Sequence, residues 1–404
     1  MNTKTVFIWS SLVVFSFSLL IYSNASAIPA FARQYKISCT TCHAPVPKLK
    51  PYGDDFAADG FILKENLNER DFISAGDDLL FLNRNFPLAV RLDAFGVVQN
   101  NKPVKNDLQT PWGLKLLSGG PLYKNIGYYF YFYMNEGGEI AGVEDAYIHF
   151  DNIFKTDLDV LVGQFQVCDP LMKRELRLTY EDYEILKTRV GESVVDLTYD
   201  RGLTLAYGVA KTQTDLAAIV TNGTGKDVAE PNYDTDSYKN VAFWLNQNFS
   251  ENISVGAFYY YSKAKAIGLN VLNEATYIGP KINATAGPVN LDAVYLLRQD
   301  TNPNFLEITP ASKIKTKGLV AEITLSPYLD RSRFFVVGLY NWVKSDLAIF
   351  EVSKESDAGM STKYQTATIL GTYWLVRNLR LNVEYTRDLQ NDLNRVVLGL
   401  ITAF

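Results

Sequence analysis

Two cysteines and a histidine stand together near the start of the chain, where residues 39–43 read Cys39, Thr40, Thr41, Cys42 and His43. Two thiols on one short turn can reach the two vinyl groups of one porphyrin, and the imidazole beside the second thiol then lies over the iron. Cys-x-x-Cys-His is the attachment pattern of c-type haem. The spacing therefore predicts one covalently bound haem c on Cys39 and Cys42, with His43 as the proximal iron ligand.

Two other chemistries use the same residue types. A Cys-x-x-Cys pair can be a thiol–disulfide centre, and together with a histidine it can form half of a zinc site. A zinc site would have to recruit both Cys168 and His149, because the chain contains only three cysteines and two histidines. The thiol–disulfide interpretation lacks the βαβ context of thioredoxin-like sequences. The spacing favours haem attachment over both.

The sixth iron ligand is left open by the sequence. Methionine or histidine is the usual axial partner in electron-transfer haems. After loss of Met1 the chain offers Met134, Met172, Met360 and His149. Met134 stands in an alternating segment that is predicted to face lipid, and Met360 stands in a loop. Met172 is therefore the first candidate and His149 the second, with a water-bound or vacant position as a third alternative.

Residues 1–27 read as a secretory signal, with Lys4 before an apolar run and a small-residue cleavage site that ends at Ala27. A membrane-anchoring helix is the alternative, but the run is shorter than the ~20 apolar residues that a span needs. The sequence predicts an exported protein in which residues 28–85 carry the haem motif and residues 86–404 form a separate domain.

Residues 86–404 break into segments in which apolar side chains recur at every second position. One example alternates the apolar Leu379, Leu381, Val383 and Tyr385 with the polar Arg380, Asn382, Glu384 and Thr386. Period two indicates strands. The fine mixture of 13% aromatic residues with a mean hydropathy of only -0.05 is typical of a transmembrane β-barrel. A soluble sandwich would show the same alternation and stays as the alternative.

The number of segments and the end of the chain favour the barrel. Single-chain bacterial barrels take an even number of strands, so we predict an all-β, antiparallel transmembrane barrel of about 16 strands that encloses an aqueous lumen. The last segment places Val396, Leu398, Leu400, Thr402 and Phe404 on one face, and resembles the C-terminal signature that the outer-membrane assembly machinery recognises. Aromatic residues gather toward segment ends, as in the girdles of membrane barrels, at Tyr259, Tyr260, Tyr261, Tyr340, Trp342, Tyr373 and Trp374.

Two stretches do not follow the strand pattern. Residues 169–191 read as an amphipathic, partly helical insert that is rich in charged residues, among them Lys173, Arg174 and Glu175. Such an insert either folds into the barrel as a constriction or forms a solvated loop outside it. The stretch between His43 and residue 86 either hangs into the periplasm or folds back into the barrel mouth as a plug.

The residues around the cysteine pair carry a resemblance to a known family. Residues 29–35 before the pair, residues 47–53 after it, Phe56 and residues 59–61 resemble the N-terminal segment of bacterial outer-membrane mono-haem c-type cytochromes that are fused to a porin-like β-barrel. The resemblance covers the haem segment, and the barrel only by its pattern. It implies covalent haem c, an outer-membrane location and a role in electron transfer, without fixing a partner.

Two functions follow from these observations. The first is electron transfer at the periplasmic face or across the barrel. One haem cannot span a hydrocarbon layer ~30 Å thick, so periplasmic or extracellular partner cytochromes are expected. The second is a porin for small solutes, anions included, with the haem segment as plug, sensor or structural element. No enzyme is predicted, because no catalytic constellation is visible beyond the haem motif. The net charge of -5 does not suggest nucleic-acid binding, and outer-membrane lipid is the expected surrounding.

Overall fold

The computed structural model describes residues 30–63, 72–73, 76, 80, 82–83, 86–100, 102–226, 232–234, 236–265, 271–306, 313–350 and 361–404. The predicted signal segment, 1–27, lies outside the described residues. These described ranges contain four short helices: α1 Ala30–Tyr35, α2 Cys39–Cys42, α3 Pro51–Ala58 and α4 Glu184–Lys187. Within the described ranges, no helix is long and apolar enough to cross a membrane.

Sixteen long strands form a closed antiparallel barrel in which each strand pairs with its neighbours in the chain. The strands are β1 Leu88–Gln99, β2 Asn106–Tyr123, β3 Ile126–Glu136, β4 Gly142–Ile153, β5 Leu158–Gln166, β6 Tyr199–Val209, β7 Thr214–Thr221, β8 Asn240–Ser250, β9 Ile253–Lys265, β10 Leu272–Ala286, β11 Val289–Thr301, β12 Lys313–Leu325, β13 Phe334–Phe350, β14 Ser361–Val376, β15 Leu379–Asp388 and β16 Leu393–Ala403. Pairing of β16 with β1 closes the barrel. The predicted strand class and strand number are confirmed.

The described part of the chain also contains three strands of two residues each. Arg189–Val190 pairs with the end of β13 inside the barrel sheet, and Phe72–Ile73 pairs with Leu82–Asn83 as a separate ribbon. The first barrel strand begins at Leu88, close to the start of the domain predicted over 86–404.

In β15 the apolar side chains face outward and the polar side chains face the lumen, which is the reverse of the arrangement in a soluble protein. Leu381, Val383 and Tyr385 are 40 to 56% exposed, whereas Glu384 is 1% and Thr386 3% exposed. Apolar residues on the outside and polar residues on the inside are what a hydrocarbon surrounding requires. The same alternation continues to the chain end, where the Phe404 amide donates to the Val90 carbonyl at 2.8 Å. The closed sheet rules out the soluble sandwich.

The two ends of the barrel differ in the length of their connections. One end, the short-turn end, has tight turns such as 124–125, 251–252 and 377–378, whereas the other, the long-loop end, has connections such as 222–239 and 167–198. Outward-facing aromatic residues mark the short-turn end, namely Tyr123, Phe249, Phe334 and Tyr373. Of the aromatic residues predicted to form girdles, Tyr260 and Trp374 instead face inward and are 2% exposed, because strand alternation sends every second side chain to the lumen.

Much of the lumen is filled rather than aqueous, which corrects the expectation from barrel size. Residues 167–198, called the inner segment below, leave the long-loop end and fold back inside. Leu171, Ile185 and Leu186 of this segment are fully buried, and they belong to one apolar cluster with inward wall residues such as Val294 and Leu296. Of the two alternatives for the insert, the structure shows the internal one. Its partly helical character is limited to α4 and the 3-10 turn Arg174–Leu176.

Candidate functional site

The cysteine pair lies on one helical turn that its own flanking residues hold in place. The Ser38 side chain accepts a hydrogen bond from the Thr40 amide at 3.3 Å at the start of α2, and the His43 amide donates to the Cys39 carbonyl at 2.9 Å at its end. Serine is a favoured residue at this capping position. Cys39, Cys42 and His43 are thereby brought to one short turn, as the spacing predicts.

Helix α3 packs against this turn at a glycine. The Cys42 carbonyl accepts from the Lys50 amide at 2.8 Å. A Cβ atom on Gly53 would lie 2.3 Å from the same carbonyl oxygen, which is closer than non-bonded atoms approach. Only glycine fits at this position, so Gly53 sets the distance between α3 and the cysteine turn.

The His43 imidazole is oriented by the loop that follows it. Its Nδ1 lies 2.8 Å from the Pro47 carbonyl oxygen. A carbonyl can only accept, so Nδ1 carries the proton and Nε2 keeps its lone pair. Burial lowers the pKa of His43, although the hydrogen bond to Pro47 acts against it. Metal-ligating histidines use this arrangement, in which one nitrogen donates to the protein and the other is free to coordinate.

The two thiols do not have the character of a redox pair. Burial raises the pKa of Cys39 and of Cys42, whereas reactive thiol–disulfide centres have a lowered pKa. Cys168 lies in the apolar cluster of the inner segment with 0% exposure. Among the described residues, no group of three or more histidine, cysteine, aspartate or glutamate side chains could hold a metal ion. Neither the thiol–disulfide nor the zinc interpretation finds support in this geometry.

A cavity of about 300 Å³, called the mouth cavity below, opens beside the cysteine turn. Residues 30–63, the N-terminal segment, contribute Cys39, Cys42 and His43 to its lining, together with the aromatic side chains of Phe31 and Phe56. The barrel wall and the inner segment supply the rest, including Arg91, Lys115, Tyr129, Tyr131, Asp145, Asp169, Glu175, Trp374, Arg377 and Arg380. The volume is at the lower end of the ~300–1,000 Å³ range of small-molecule and cofactor sites.

The N-terminal segment occupies the barrel mouth at the short-turn end. Phe61 stacks on Phe31 and on Tyr129 of β3, with ring centroids 4.9 Å apart in both pairs. The Lys48 ammonium lies 3.0 Å from Glu322 on β12, and Lys50 lies 2.6 Å from Asp330. The described part of the stretch after His43, up to residue 63, lies within the mouth, as expected for a plug.

A group of cationic side chains on the wall was not singled out as a site by the sequence patterns. Arg91 on β1, Lys115 on β2 and Arg380 on β15 all line the mouth cavity. The sequence does show that each of the three lies at an inward position of an alternating strand. Burying a charge inside a membrane protein is costly, so such residues are candidates for a functional role. That pattern gives the direction of each side chain, but not that three strands place them together.

Met172 and His149 do not line the mouth cavity. Met172 is 4% exposed and packs in the apolar cluster of the inner segment, although Asp169 and Lys173 on either side of it reach the cavity. His149 faces inward on β4, where its Cγ lies 3.5 Å from the position of a Cβ atom built on Gly60. Met134 is 44% exposed on the outer face. The geometry lends no support to Met172 as sixth ligand, and the identity of that ligand stays open.

The residues of the mouth cavity fit a covalently held haem c. Cys39 and Cys42 supply two thiols on one turn, His43 supplies an imidazole with an oriented tautomer, and Phe31, Phe56 and Tyr129 supply apolar surface for a flat ring. Arg91, Lys115 and Arg380 of the wall supply positive charges that could bind the carboxylates of a haem. This donor set matches haem attachment in kind and number.

The sequence and fold were compared with known proteins. No protein-family model matches the chain, and no curated protein sequence matches it. Solved structures match its fold. An anion-selective porin from Comamonas acidovorans has a TM-score of 0.57 at 11% identity, over 79% of this chain and 99% of that one. The loop L8 deletion mutant of OmpT, an outer membrane protein of Vibrio cholerae, gives 0.55 at 11% identity over 79% and 99%.

A third similar structure is Salmonella typhi OmpF in complex with daunomycin, with a TM-score of 0.54 at 15% identity over 78% of this chain and 97% of that one. Identities this low establish similarity of fold and no more. The chain therefore has the fold of a porin-like outer-membrane β-barrel, with an N-terminal cysteine–histidine segment in the mouth of that barrel.

Proposed function

We propose that this protein is an outer-membrane haem c protein that takes part in electron transfer, with the haem bound through Cys39 and Cys42 and ligated by His43. The observation that carries the proposal is the hydrogen bond between His43 Nδ1 and the Pro47 carbonyl at 2.8 Å, in a cavity that both cysteines line. A half-buried imidazole held in one tautomer beside two thiols has a clear use as an iron ligand.

The proposed location follows from the barrel. Apolar side chains cover its outside, and bacterial outer-membrane barrels place their short turns on the periplasmic side. The N-terminal segment lies at the short-turn end, so we place the haem at the periplasmic mouth. Haem c is attached after export, which agrees with that side. Outer-membrane lipid then surrounds the barrel.

Haem c supplies a one-electron iron couple when it is bound. The residues of the chain exclude water around it and fix its position. Phe31 and Phe61 are stacked 4.9 Å apart, and Phe56 meets both edge-on at 5.4 and 5.7 Å. Tyr129 closes this aromatic group on the barrel side. A periplasmic partner cytochrome could approach the N-terminal segment at the mouth, whereas the inner segment fills the barrel beyond it.

A second candidate function is a porin for small solutes. It is favoured by the fold and by a vestibule of about 1260 Å³ at the long-loop end. Charged residues of both signs line this vestibule, including Arg174, Arg177, Glu181, Asp182 and Arg395. The N-terminal and inner segments both lie in the path between the two ends, so conduction would require a route around them or movement of one of them.

Covalent haem is tested with protein made in a host that has the haem c maturation system. The wild type should keep haem-linked peroxidase staining after denaturing electrophoresis, and Cys39→Ser with Cys42→Ser should lose it completely. Cys168→Ser is the matched control and should keep the stain, because that thiol lies in a different cluster. Absence of haem stain in the wild-type protein would refute the haem proposal. If that protein then conducted ions in planar bilayers, the porin function would be supported.

A further inference from the structure

Among the residues that the structure describes, the buried Arg380 forms no ion pair with a carboxylate. It is 6% exposed, and its guanidinium Nη1 donates to the Val46 carbonyl at 2.9 Å. Over the described residues, no carboxylate oxygen lies within 4.0 Å of it, although Arg380 points into a barrel rich in acidic groups. Burying a charge without a partner is costly. A buried cation of this kind calls for an anion that binds beside it.

The charges around Arg380 leave an excess of positive charge. Arg91 Nε lies 2.8 Å from Asp93. Lys115 lies 3.7 Å from the same aspartate and 3.5 Å from Glu175. Arg91 and Lys115 thus occupy both carboxylates, and Glu175 is shared further with Arg174 at 3.6 Å. Lys173, which lies 3.5 Å from Asp54, and Arg377 add further positive charge to the lining of the cavity. The remaining acidic groups of the cavity, Asp145 on β4 and Asp169, stand on other elements than β1, β2 and β15.

Arg380 and the His43 imidazole are held by adjacent carbonyls of one loop. The guanidinium donates to the Val46 carbonyl and the imidazole to the Pro47 carbonyl. Both side chains line the mouth cavity. The loop therefore fixes the Arg380 guanidinium relative to the His43 imidazole, so that both side chains can contact the same bound group.

We propose that Arg380, with Arg91 and Lys115 beside it, binds a propionate carboxylate of the haem. The inference rests on the proposed haem attachment and deepens it. Haem c carries two propionates, and a guanidinium matches a carboxylate with two parallel hydrogen bonds. Arg380 is then a positioning residue that orients the ring and keeps the propionate ionised. A small carboxylate passing through the lumen has the same chemistry, so the test must separate the two sources.

The test uses the holoprotein with Arg380→Gln, Arg380→Lys and the control Arg387→Gln, which lies on the same strand but is exposed. Glutamine keeps a donor for the Val46 carbonyl and removes the charge. The readouts are covalent haem staining and the midpoint potential between about pH 5 and about pH 9. A nearby cation favours ferrous iron, so Arg380→Gln should lower the potential at high pH by about 59 mV, a tenfold change in the one-electron equilibrium.

The pH profile identifies the propionate. Without Arg380 the propionate gains a proton as the pH falls, so the loss of the cation is offset and the potential of Arg380→Gln should approach the wild-type value. Arg380→Lys should restore most of the wild-type profile. If Arg380→Gln carries stained haem and its profile equals that of wild type and Arg387→Gln, the propionate site is wrong while haem attachment stands.

The free-anion source is tested by conductance in planar bilayers with potassium acetate. A wild-type preference for acetate that is lost in Arg380→Gln, at an unchanged haem potential, overturns the propionate assignment. Absence of haem stain in the wild type would refute the proposed function itself, independently of any result for the Arg380 variants. A shifted and pH-dependent potential with unchanged conductance supports the proposal.

Discussion

The inner segment and the N-terminal segment both fill the barrel, but the wall holds them in different ways. Arg298 of β11 donates to the backbone carbonyls of Thr188 at 2.8 Å and Val195 at 2.9 Å. Glu384 of β15 accepts from the amides of Tyr180 at 2.6 Å and Glu181 at 3.0 Å. In the N-terminal segment Arg380 of the wall donates to the Val46 carbonyl at 2.9 Å, but most contacts with the wall are between side chains, such as the Lys48–Glu322 ion pair and the stacked aromatic rings.

The difference shows which segment leaves room for a ligand. Wall side chains satisfy the backbone of the inner segment, and apolar side chains pack against it, so it behaves as part of the protein core. The N-terminal segment touches the wall at separate points and leaves the mouth cavity between them. A prosthetic group therefore belongs with the N-terminal segment, and the inner segment serves to close the lumen behind it.

The largest effect on this comparison is expected from Arg298→Met. Arg298 is 1% exposed and also pairs with Asp300 at 2.7 Å. Its loss leaves a buried carboxylate without a cation and frees two carbonyls, at a cost of about 3 to 5 kcal/mol. We expect a lower urea midpoint of unfolding and a larger single-channel conductance as the inner segment loosens.

The control for Arg298→Met is Arg387→Gln, which breaks an exposed ion pair with Asp392 at 3.1 Å. Exposed pairs contribute about 0 to 1 kcal/mol, so both readouts should stay near wild type. Wild-type stability and conductance in Arg298→Met would show that the inner segment is not held by its backbone contacts.

A smaller effect is expected where both segments meet one wall residue. Glu322 is 1% exposed, and it accepts from Lys48 at 3.0 Å and from the Tyr183 hydroxyl of the inner segment at 2.7 Å. Lys48→Met should loosen only the N-terminal segment, by about 1 to 3 kcal/mol. We expect faster trypsin cleavage within residues 30–63 at unchanged conductance, whereas Glu322→Gln should change both readouts.

Lys263→Met is the control for this pair, because its partner Glu274 is 3.6 Å away and 42% exposed. It should change neither the cleavage rate nor the conductance. Equal cleavage rates in wild type and Lys48→Met would mean that the Lys48–Glu322 ion pair does not hold the N-terminal segment in the mouth.

Gly53→Ala tests the packing of α3 on the cysteine turn alone. The added methyl would lie 2.3 Å from the Cys42 carbonyl oxygen, and overpacking of this kind costs about 1 to 3 kcal/mol. We expect a lower ratio of covalent haem to protein. The barrel itself should be unchanged, so the difference in migration between heated and unheated samples in electrophoresis should equal that of the wild type. Gly208→Ala is the control, since nothing lies within 4 Å of its added Cβ. An unchanged haem ratio in Gly53→Ala would contradict the close packing.

The smallest effect is expected from Met172→Leu and His149→Gln. Both side chains lie outside the lining of the mouth cavity. A Met-to-Leu exchange in a core costs less than about 1.5 kcal/mol. We expect the visible spectrum and the reduction potential of the haem protein to stay unchanged in both variants. Loss of the weak long-wavelength sulfur-to-iron band in Met172→Leu would identify Met172 as the sixth ligand after all.

Features that depend on short-range spacing could be predicted from the sequence. Alternation with period two predicted the strands and the direction of each side chain, as Val383 and Glu384 illustrate. Spacing also brought Cys39, Cys42 and His43 to one turn, because four helical residues and their cap are a local structure. The inward direction of His149 and the outward direction of Met134 followed from the same alternation.

The filling of the lumen and the grouping of distant residues around the cavity depend on long-range packing. Arg91, Lys115 and Arg380 come together only because β16 closes on β1 and brings β15 beside them. The inward apolar residues Val294 and Leu296 pack against the inner segment instead of water. Period two gives only the face on which a side chain lies. What covers that face depends on long-range packing that strand alternation cannot encode.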